Sequence, residues 1–301
     1  MSPRTALATA AEFPALDEDG PALLAALANQ GIDAEPAVWS DGGVDWSAYD
    51  LVVVRSTWDY HLRRDEFLAW ASSVARDTRL LNPVDVLAWN TDKTYLRTLH
   101  GAGLSVVPTQ WLSPGDTFAV PAFDGSREYV VKPAVSAGSK DTNRYRAGEH
   151  DDLAAVHARE LLDAGRTVMV QPYLHAVDTA GETALLYLGD TYSHAIRKGP
   201  LLTTAMEPVQ GAYKEETIEV REPTTAERHT AEQVLDVLAD VAPAARGDLL
   251  YSRVDLVPGP DGAPVLLELE LTEPSMFLVH DGVSGTWAGE RFATAIAAAL
   301  G

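Results

Sequence analysis

The stretch Leu266-Leu-Glu-Leu-Glu-Leu271, read with Arg253-Val-Asp255 shortly before it, decides how this chain is organised. Alternating leucine and glutamate is the two-residue period of a strand, so Glu268 and Glu270 project from one face and the leucines from the other. Asp255 lies in a second apolar run, residues 249–257, and pairing that run with residues 264–271 brings three carboxylates together. Like charges at such spacing repel unless a cation sits between them. The natural occupant is Mg2+, a hard ion that takes oxygen ligands and substrate phosphates.

Working outward, strands are expected at 184–188 and 193–197, a long helix at 225–241 and a closing helix at 289–299. Upstream the texture is short and β-rich: 106–111, 129–132 and 167–171, with a helix at 151–164, which reads as a small α/β lid. Before that, strands at 5–10, 32–39 and 51–54 alternate with helices at 22–30 and 65–75. This is the pattern of an open parallel sheet. Asn82-Pro83 breaks it, and a helix over 91–100 is entered from Asn90 or Thr91. The expectation is an α/β protein with an α+β lid: an N-terminal α/β substrate domain over 1–90, a lid subdomain over 91–175, and a C-terminal subdomain carrying the metal site over 176–301.

Composition narrows the function. Among 301 residues, 23 Lys+Arg against 44 Asp+Glu give a net charge of −21. With no basic stretch to offset it, this charge disfavours nucleic acid and anionic membranes as partners. The absence of cysteine excludes thiol nucleophiles, disulfides and thiolate metal sites. No window approaches the ~20 apolar residues needed to span a bilayer, and residues 1–11 lack the apolar core of a signal peptide. A cytoplasmic protein is expected, with self-association as a homodimer left open.

Two lysines carry the next step. Lys93 is expected to open a helix, and Lys132 ends the strand Tyr129-Val-Val-Lys-Pro133, directly before the small-residue loop Ala134-Val-Ser-Ala-Gly-Ser-Lys-Asp-Thr-Asn143. Small residues let backbone N–H groups approach polyphosphate oxygens. No GxxxxGK[ST] occurs, and the lysine precedes its loop, so this is not a P-loop. A loop with so little apolar anchoring is expected to close over nucleotide. The string Arg55-Ser-Thr-Trp-Asp-Tyr60 follows a buried-type strand at its carboxyl end, where ligands gather in open α/β sheets. His61, His100, His194 and His280 lack close-spaced partners and receive no catalytic role.

The order Asn90-Thr-Asp-Lys93, Val-Val-Lys132-Pro with its loop, Gln171-Pro-Tyr-Leu174, Gly181-Glu182, Ile196-Arg197, Arg253-Val-Asp255 and Glu268-Leu-Glu270-Leu-Thr-Glu-Pro274 resembles the ATP-grasp ligases, and their glutathione synthetase-like branch most. The resemblance implies ATP and Mg2+ as cofactors. Lys93 and Lys132, with Ser136, Gly138 and Ser139 of the loop, would hold phosphates. Gln171, Tyr173 and Leu174 would receive adenine, and Glu182, with Asp178 as a second candidate, would meet the ribose. Arg197 would lie beside the γ-phosphate, and catalysis would fall to Arg197, Arg253 and Lys132. Asp255, Glu268 and Glu270 would bind the metal, although the family usually has Glu-x-Asn where this chain has Glu268-Leu-Glu270.

Further strings, Leu16-Asp-Glu-Asp19, Val44-Asp-Trp-Ser-Ala-Tyr-Asp50 and Arg55-Ser-Thr-Trp-Asp-Tyr-His61, are similar to those of the O-ureido-serine cyclo-ligases of D-cycloserine biosynthesis. A small amino-acid-like substrate is then expected, contacted by Arg55, Ser56, Thr57, Trp58, Asp59 and Ser275. The implied reaction activates a carboxylate as an acyl phosphate and closes a ring. The alternatives are a ligase joining two separate amino acids, and a nucleotide-binding regulatory or carrier protein that has lost turnover.

Overall fold

A computed structural model describes residues 2–123, 126–200, 202, 217–281 and 288–301. In chain order its elements are β1 (Arg4–Thr9), α1 (Gly20–Asn29), β2 (Asp33–Val38), β3 (Leu51–Val54), α2 (Arg64–Asp77), β4 (Arg79–Leu81), α3 (Val84–Asn90) and α4 (Tyr95–Gly101). Then follow β5 (Gln110–Leu112), β6 (Glu128–Pro133), β7 (Asn143–Arg146), α5 (Asp151–Asp163), β8 (Val168–Pro172), α6 (Val177–Ala180), β9 (Glu182–Leu188) and β10 (Thr191–Lys198). The last are β11 (Ile218–Val220), α7 (Thr225–Asp236), α8 (Leu238–Val241), β12 (Tyr251–Pro258), β13 (Pro264–Glu270) and α9 (Ala288–Leu300).

Three sheets result, ordered β2-β1-β3-β4, β5-β8-β6-β7 and β11-β10-β9-β12-β13. The first is parallel, and its central strands, β1 and β3, are buried from Thr5 to Thr9 and from Leu51 to Val54 because helices cover both faces. Strand alternation divides its side chains: Ala8, Val52 and Val54 meet Phe67, Ala71 and Val74 of α2. Leu7, Leu51 and Val53 meet Leu23 and Leu27 of α1, together with Phe292 and Ile296 of α9. The last helix therefore seals the first sheet as well as the third. In the second sheet, Tyr129 and Val131 face α5, which leaves Val130 and Lys132 for the opposite face.

The five-stranded sheet positions the site. One face packs on α7 and α8 through Leu185, Ala195, Val254 and Leu256. The other carries Leu186, Leu188, Ile196 and Tyr251 against α9. Further along that second face the apolar residues give way to charge. Register pairs Lys198 with Glu182, Asp255 with Ala184 and Glu268, and Arg253 with Glu270.

β13 is an edge strand, yet its outer backbone is satisfied by side chains and a bridge. Asn90 donates to Leu269 O and accepts from Leu271 N, and Tyr95 Oη bonds both polar groups of Leu269. Val106 bridges to Leu266. Asn82 adds Nδ2 bonds to Tyr251 O (2.9 Å) and Leu271 O (2.7 Å) and accepts from Leu250 N (2.7 Å). These contacts hold the carboxylate strand against the segment that ends in Lys93.

Several expectations change. The helix expected at 91–100 is two short helices, α3 and α4, and Lys93 lies in the turn between them, with its N–H on Ala134 O. Asp92 caps that turn through Thr94 N, which draws the backbone out of the helical path. Of the strand expected at 106–111 only its end enters the sheet, as β5. The helix expected at 225–241 divides into α7 and α8.

Candidate active site

A cavity of about 560 Å3 lies between the charged face of the third sheet, the second sheet and the carboxyl end of the first. Lys93, Lys132, Lys198 and Arg253 enter it from separate strands and turns, as do Glu182, Glu268, Glu270 and Glu273.

Most of these charges are already paired. Lys93 Nζ lies 3.0 Å from Glu268 and donates to Ser136 O at 2.9 Å. Lys198 Nζ lies 2.7 Å from Glu182 and 2.8 Å from Asp255. Arg253 binds Asp255 through Nε and Nη2, and Glu270 through Nη2. Burial alone would raise the Asp255 carboxyl, which is 1% exposed, but Arg253 and Lys198 outweigh it and hold the pKa at about 2. Glu268 is likewise held below its ordinary range, because Lys93 and Lys132 overcome burial. Glu270 behaves differently. Burial, with Glu268 and Asp255 nearby, pushes it up to about 7 despite Arg253.

Two groups stand outside this pairing. Lys132 has no ion pair among the described residues, and desolvation in the cavity pushes it below its usual value. Glu273 has none either, and burial followed by the field of Glu270 pushes its carboxyl well above the carboxylate range.

The phosphate-type loop, 134–143, brings Ser136, Gly138 and Ser139 into the cavity lining, with left-handed φ at Gly138 (60°) and Ser139 (56°). Its Val135 and Ala137 rest on the apolar cluster of the first sheet, so the loop bridges two sheets. Gln171, Tyr173, Leu174 and Glu182 also line the cavity. Gln171 Nε2 donates to Thr109, Tyr173 N–H is committed to Glu128 O, and Tyr173 Oη bonds Asp178.

Other expected residues lie elsewhere. Arg197 is outside the lining: its guanidinium donates to Ala180 O (2.7 Å) and Thr179 O (2.9 Å) and pairs with Glu219. Neighbours on a strand face opposite ways, so placing Lys198 in the cavity turns Arg197 out. The Ile196-Arg197 motif points to Arg197, whereas alternation from Ile196, a core residue, places Lys198 in the cavity.

Of the string after β3, Trp58 and Tyr60 reach the cavity, and Arg55, Ser56, Thr57 and Asp59 do not. Arg55 is 2% exposed, 3.6 Å from Asp17 and 4.0 Å from Asp19, and donates to Pro274 O. Ser56 accepts from Asp17 N, Thr57 is buried, and Asp59 binds Trp39 and Arg63. Ser275 lines this cavity and an adjoining one of about 320 Å3, which share Trp58 and Glu18.

No three histidine or carboxylate side chains among the described residues are gathered closely enough to hold a metal unaided. The donor chemistry nevertheless fits Mg2+: three carboxylates share one face, and a hard divalent cation takes such oxygen ligands, with phosphate oxygens completing its shell.

Cations and carboxylates clamped between two sheets, with a small-residue loop above and an open α/β domain alongside, define an ATP-grasp ligase. The whole chain is similar to such enzymes. It is 39% identical over 305 residues, 98% of each chain, to the cycloserine biosynthesis protein DcsG of Streptomyces lavendulae. Residues 5–82 match the family model of the D-cycloserine synthetase DcsG N-terminal domain. A crystal structure of D-cycloserine synthetase DcsG superposes with a TM-score of 0.84 at 36% identity, covering 99% of this chain and 100% of that one. D-alanine–D-alanine ligase from Bacillus anthracis, solved with ATP, shares the fold at a TM-score of 0.64 and 14% identity, over 99% of this chain and 98% of that one. The chain belongs to the DcsG family of ATP-grasp ligases and is an ATP-dependent ligase. Among the described residues no helix is long and apolar enough to cross a membrane.

Proposed function

We propose that this ligase closes O-ureido-D-serine to D-cycloserine. The observation that carries the reading is similarity to a cycloserine biosynthesis protein over 98% of both chains. The placement of charge in the cavity supports it. Lys132, which has no ion pair among the described residues, is suited to a phosphate oxygen, and Lys93 and Lys198 can exchange carboxylate partners for phosphate. Asp255, Glu268 and Glu270 would hold Mg2+, which when bound neutralises phosphate charge. Arg253 is placed to steady the carboxyl oxygen as it gains charge. We also read the three sheets as working units: residues 1–90 for the acceptor, 91–175 as lid and 176–301 for metal.

In this scheme the substrate carboxylate attacks the γ-phosphorus and ADP leaves. The ureido nitrogen next to oxygen then displaces phosphate from the acyl phosphate and closes a five-membered isoxazolidinone. Addition of water removes the carbamoyl group as CO2 and ammonia. Nucleophile and electrophile share one molecule, so the protein's task is to fold the substrate and exclude water.

The test is ADP release with Mg-ATP against O-ureido-D-serine, O-ureido-L-serine and pairs of common amino acids, with product masses. Cycloserine from the D-isomer supports the reading. A linear dipeptide from an amino-acid pair, with no turnover of either ureidoserine, overturns it.

A further inference from the structure

We propose that Glu273 is the anchor for the α-ammonium group of the amino-acid substrate, and so decides which acids this ligase accepts. The inference rests on the site being that of an amino-acid-activating ligase.

It begins from the distribution of charge. Asp255, Glu182, Glu268 and Glu270 each have a lysine or arginine within ion-pair distance. Glu273 has none among the described residues, although it is only 9% exposed and lines the cavity. A nine-tenths-buried carboxylate without a partner is costly, and the cost is relieved when a cation arrives. Among the described residues the cavity's cations are engaged by the other carboxylates, apart from Lys132 on the second sheet. The ammonium group of a substrate is suited to supply the missing partner.

Position supplies the chemical class. Glu273 lines the cavity together with Trp58 and Tyr60: its carbonyl accepts from Trp58 Nε1 at 3.0 Å, and its field is the strongest among the charges that raise the Tyr60 hydroxyl. Aromatic walls beside a carboxylate suit a primary ammonium. Glu18 lines the same cavity and adds negative potential.

The loop is also rigid enough to serve as an anchor. Successive carbonyls are held by side chains: Glu273 O by Trp58, Pro274 O by Arg55 (3.2 Å), Ser275 O by Arg253 (3.1 Å) and Met276 O by His194 (2.9 Å). Arg55 thus acts as a positioning residue, reaching substrate only through this loop. With its backbone pinned on four consecutive residues, Glu273 presents its carboxylate at little entropic cost on binding.

The experiment compares O-ureido-D-serine with its deamino counterpart, 3-(ureidooxy)propanoate, by ADP release in the parent enzyme and in Glu273→Gln. The parent should favour the amine-bearing compound by on the order of a hundredfold in kcat/KM, as expected for a desolvated charge pair. Glu273→Gln should shrink that preference to a few-fold with the KM for ATP unchanged, which a merely structural defect does not do. Equal kcat/KM for the two compounds in the parent overturns the proposal even if the variant does not fold. An undiminished preference in the variant overturns it as well. Absence of ADP release with either ureidoserine enantiomer refutes the cyclo-ligase reading instead. The anchor is then tested by the same amino/deamino comparison on whichever amino acid of the panel releases ADP.

Discussion

Arg197 and Lys198 are adjacent on β10, and exchanging each for methionine separates a cation that works in the cavity from one that braces its outside. Lys198 Nζ is within 2.8 Å of both Glu182 and Asp255. At about 4 Å from a phosphate oxygen, with an effective dielectric near 20, a unit positive charge contributes about 4 kcal/mol. Part of that is offset by the carboxylates it must release, so we expect Lys198→Met to lower kcat by roughly a hundredfold or more, the scale of losing one preorganised electrostatic group. Arg197→Met loses two bonds to the Thr179 and Ala180 carbonyls, about 1 kcal/mol each. Spread over 301 residues at ~2.1 cal/mol/K each, that lowers Tm by about 3 °C and leaves kcat within a few-fold. Steady-state ADP release and scanning calorimetry on both variants make the comparison. A larger loss of kcat in Arg197→Met than in Lys198→Met refutes the assignment of faces.

The remaining expectations concern metal, stability and pH. Glu268→Gln keeps the fold but removes one of the three proposed metal carboxylates and the partner of Lys93; turnover should fall by about two orders of magnitude or more, and near-parent rates in excess Mg2+ would contradict the metal assignment. Asn82→Ala strands three buried backbone groups on β12 and its neighbours, a cost of about 3–6 kcal/mol and about 5–10 °C in Tm; calorimetry showing under ~2 °C would mean the stitch carries little. His194, buried between Ser193 and Met276 O, has its pKa lowered to about 4, chiefly by burial. The unfolded chain then takes the proton first, so stability present at neutral pH is lost as pH falls from about 6.5 towards 4, by about 2 kcal/mol between pH 7 and 5. In His194→Gln that part of the slope should vanish, and denaturant titrations with equal slopes in both proteins would exclude it.

Much of the scaffold was legible because periodicity reports burial directly. Residues 51–54 form β3 with the bounds the apolar run suggested, and the Leu/Glu alternation of β13 put Glu268 and Glu270 on one face. What the sequence left hidden depends on contacts between distant segments. β4 and β7 are short, and residues 84–90 carry no obvious cap, so neither strand nor helix stood out locally. Asn82 reads as a break before Pro83 and Asn90 as a helix entry, whereas both serve as backbone substitutes for strands about 170–190 positions away. Arg55 looked like a substrate ligand because it follows a strand end. Its burial beneath Asp17 and Asp19 follows from a loop whose path no local pattern records. Glu273 sits in Thr-Glu-Pro with no alternation to give it a face.

The buried ion pairs of the cavity also bear on how the enzyme can wait for its substrates. Charges this close would be expensive to desolvate singly, and each carboxylate on the third sheet's charged face has a cation beside it from a different segment. On the proposed reading, arriving nucleotide would draw the lysines from carboxylate to phosphate, and the released carboxylates would become the donors a divalent cation requires. The two binding events are coupled on that reading, because phosphate draws the lysines off carboxylates that the divalent cation then meets. The groups outside this exchange among the described residues, Lys132 and Glu273, carry opposite charge, and on the proposed reading one suits the anion that donates phosphate and the other the cation on the acid that receives it. An arrangement of this kind lets one pocket hold two ligands of opposite local charge without either competing for the other's place.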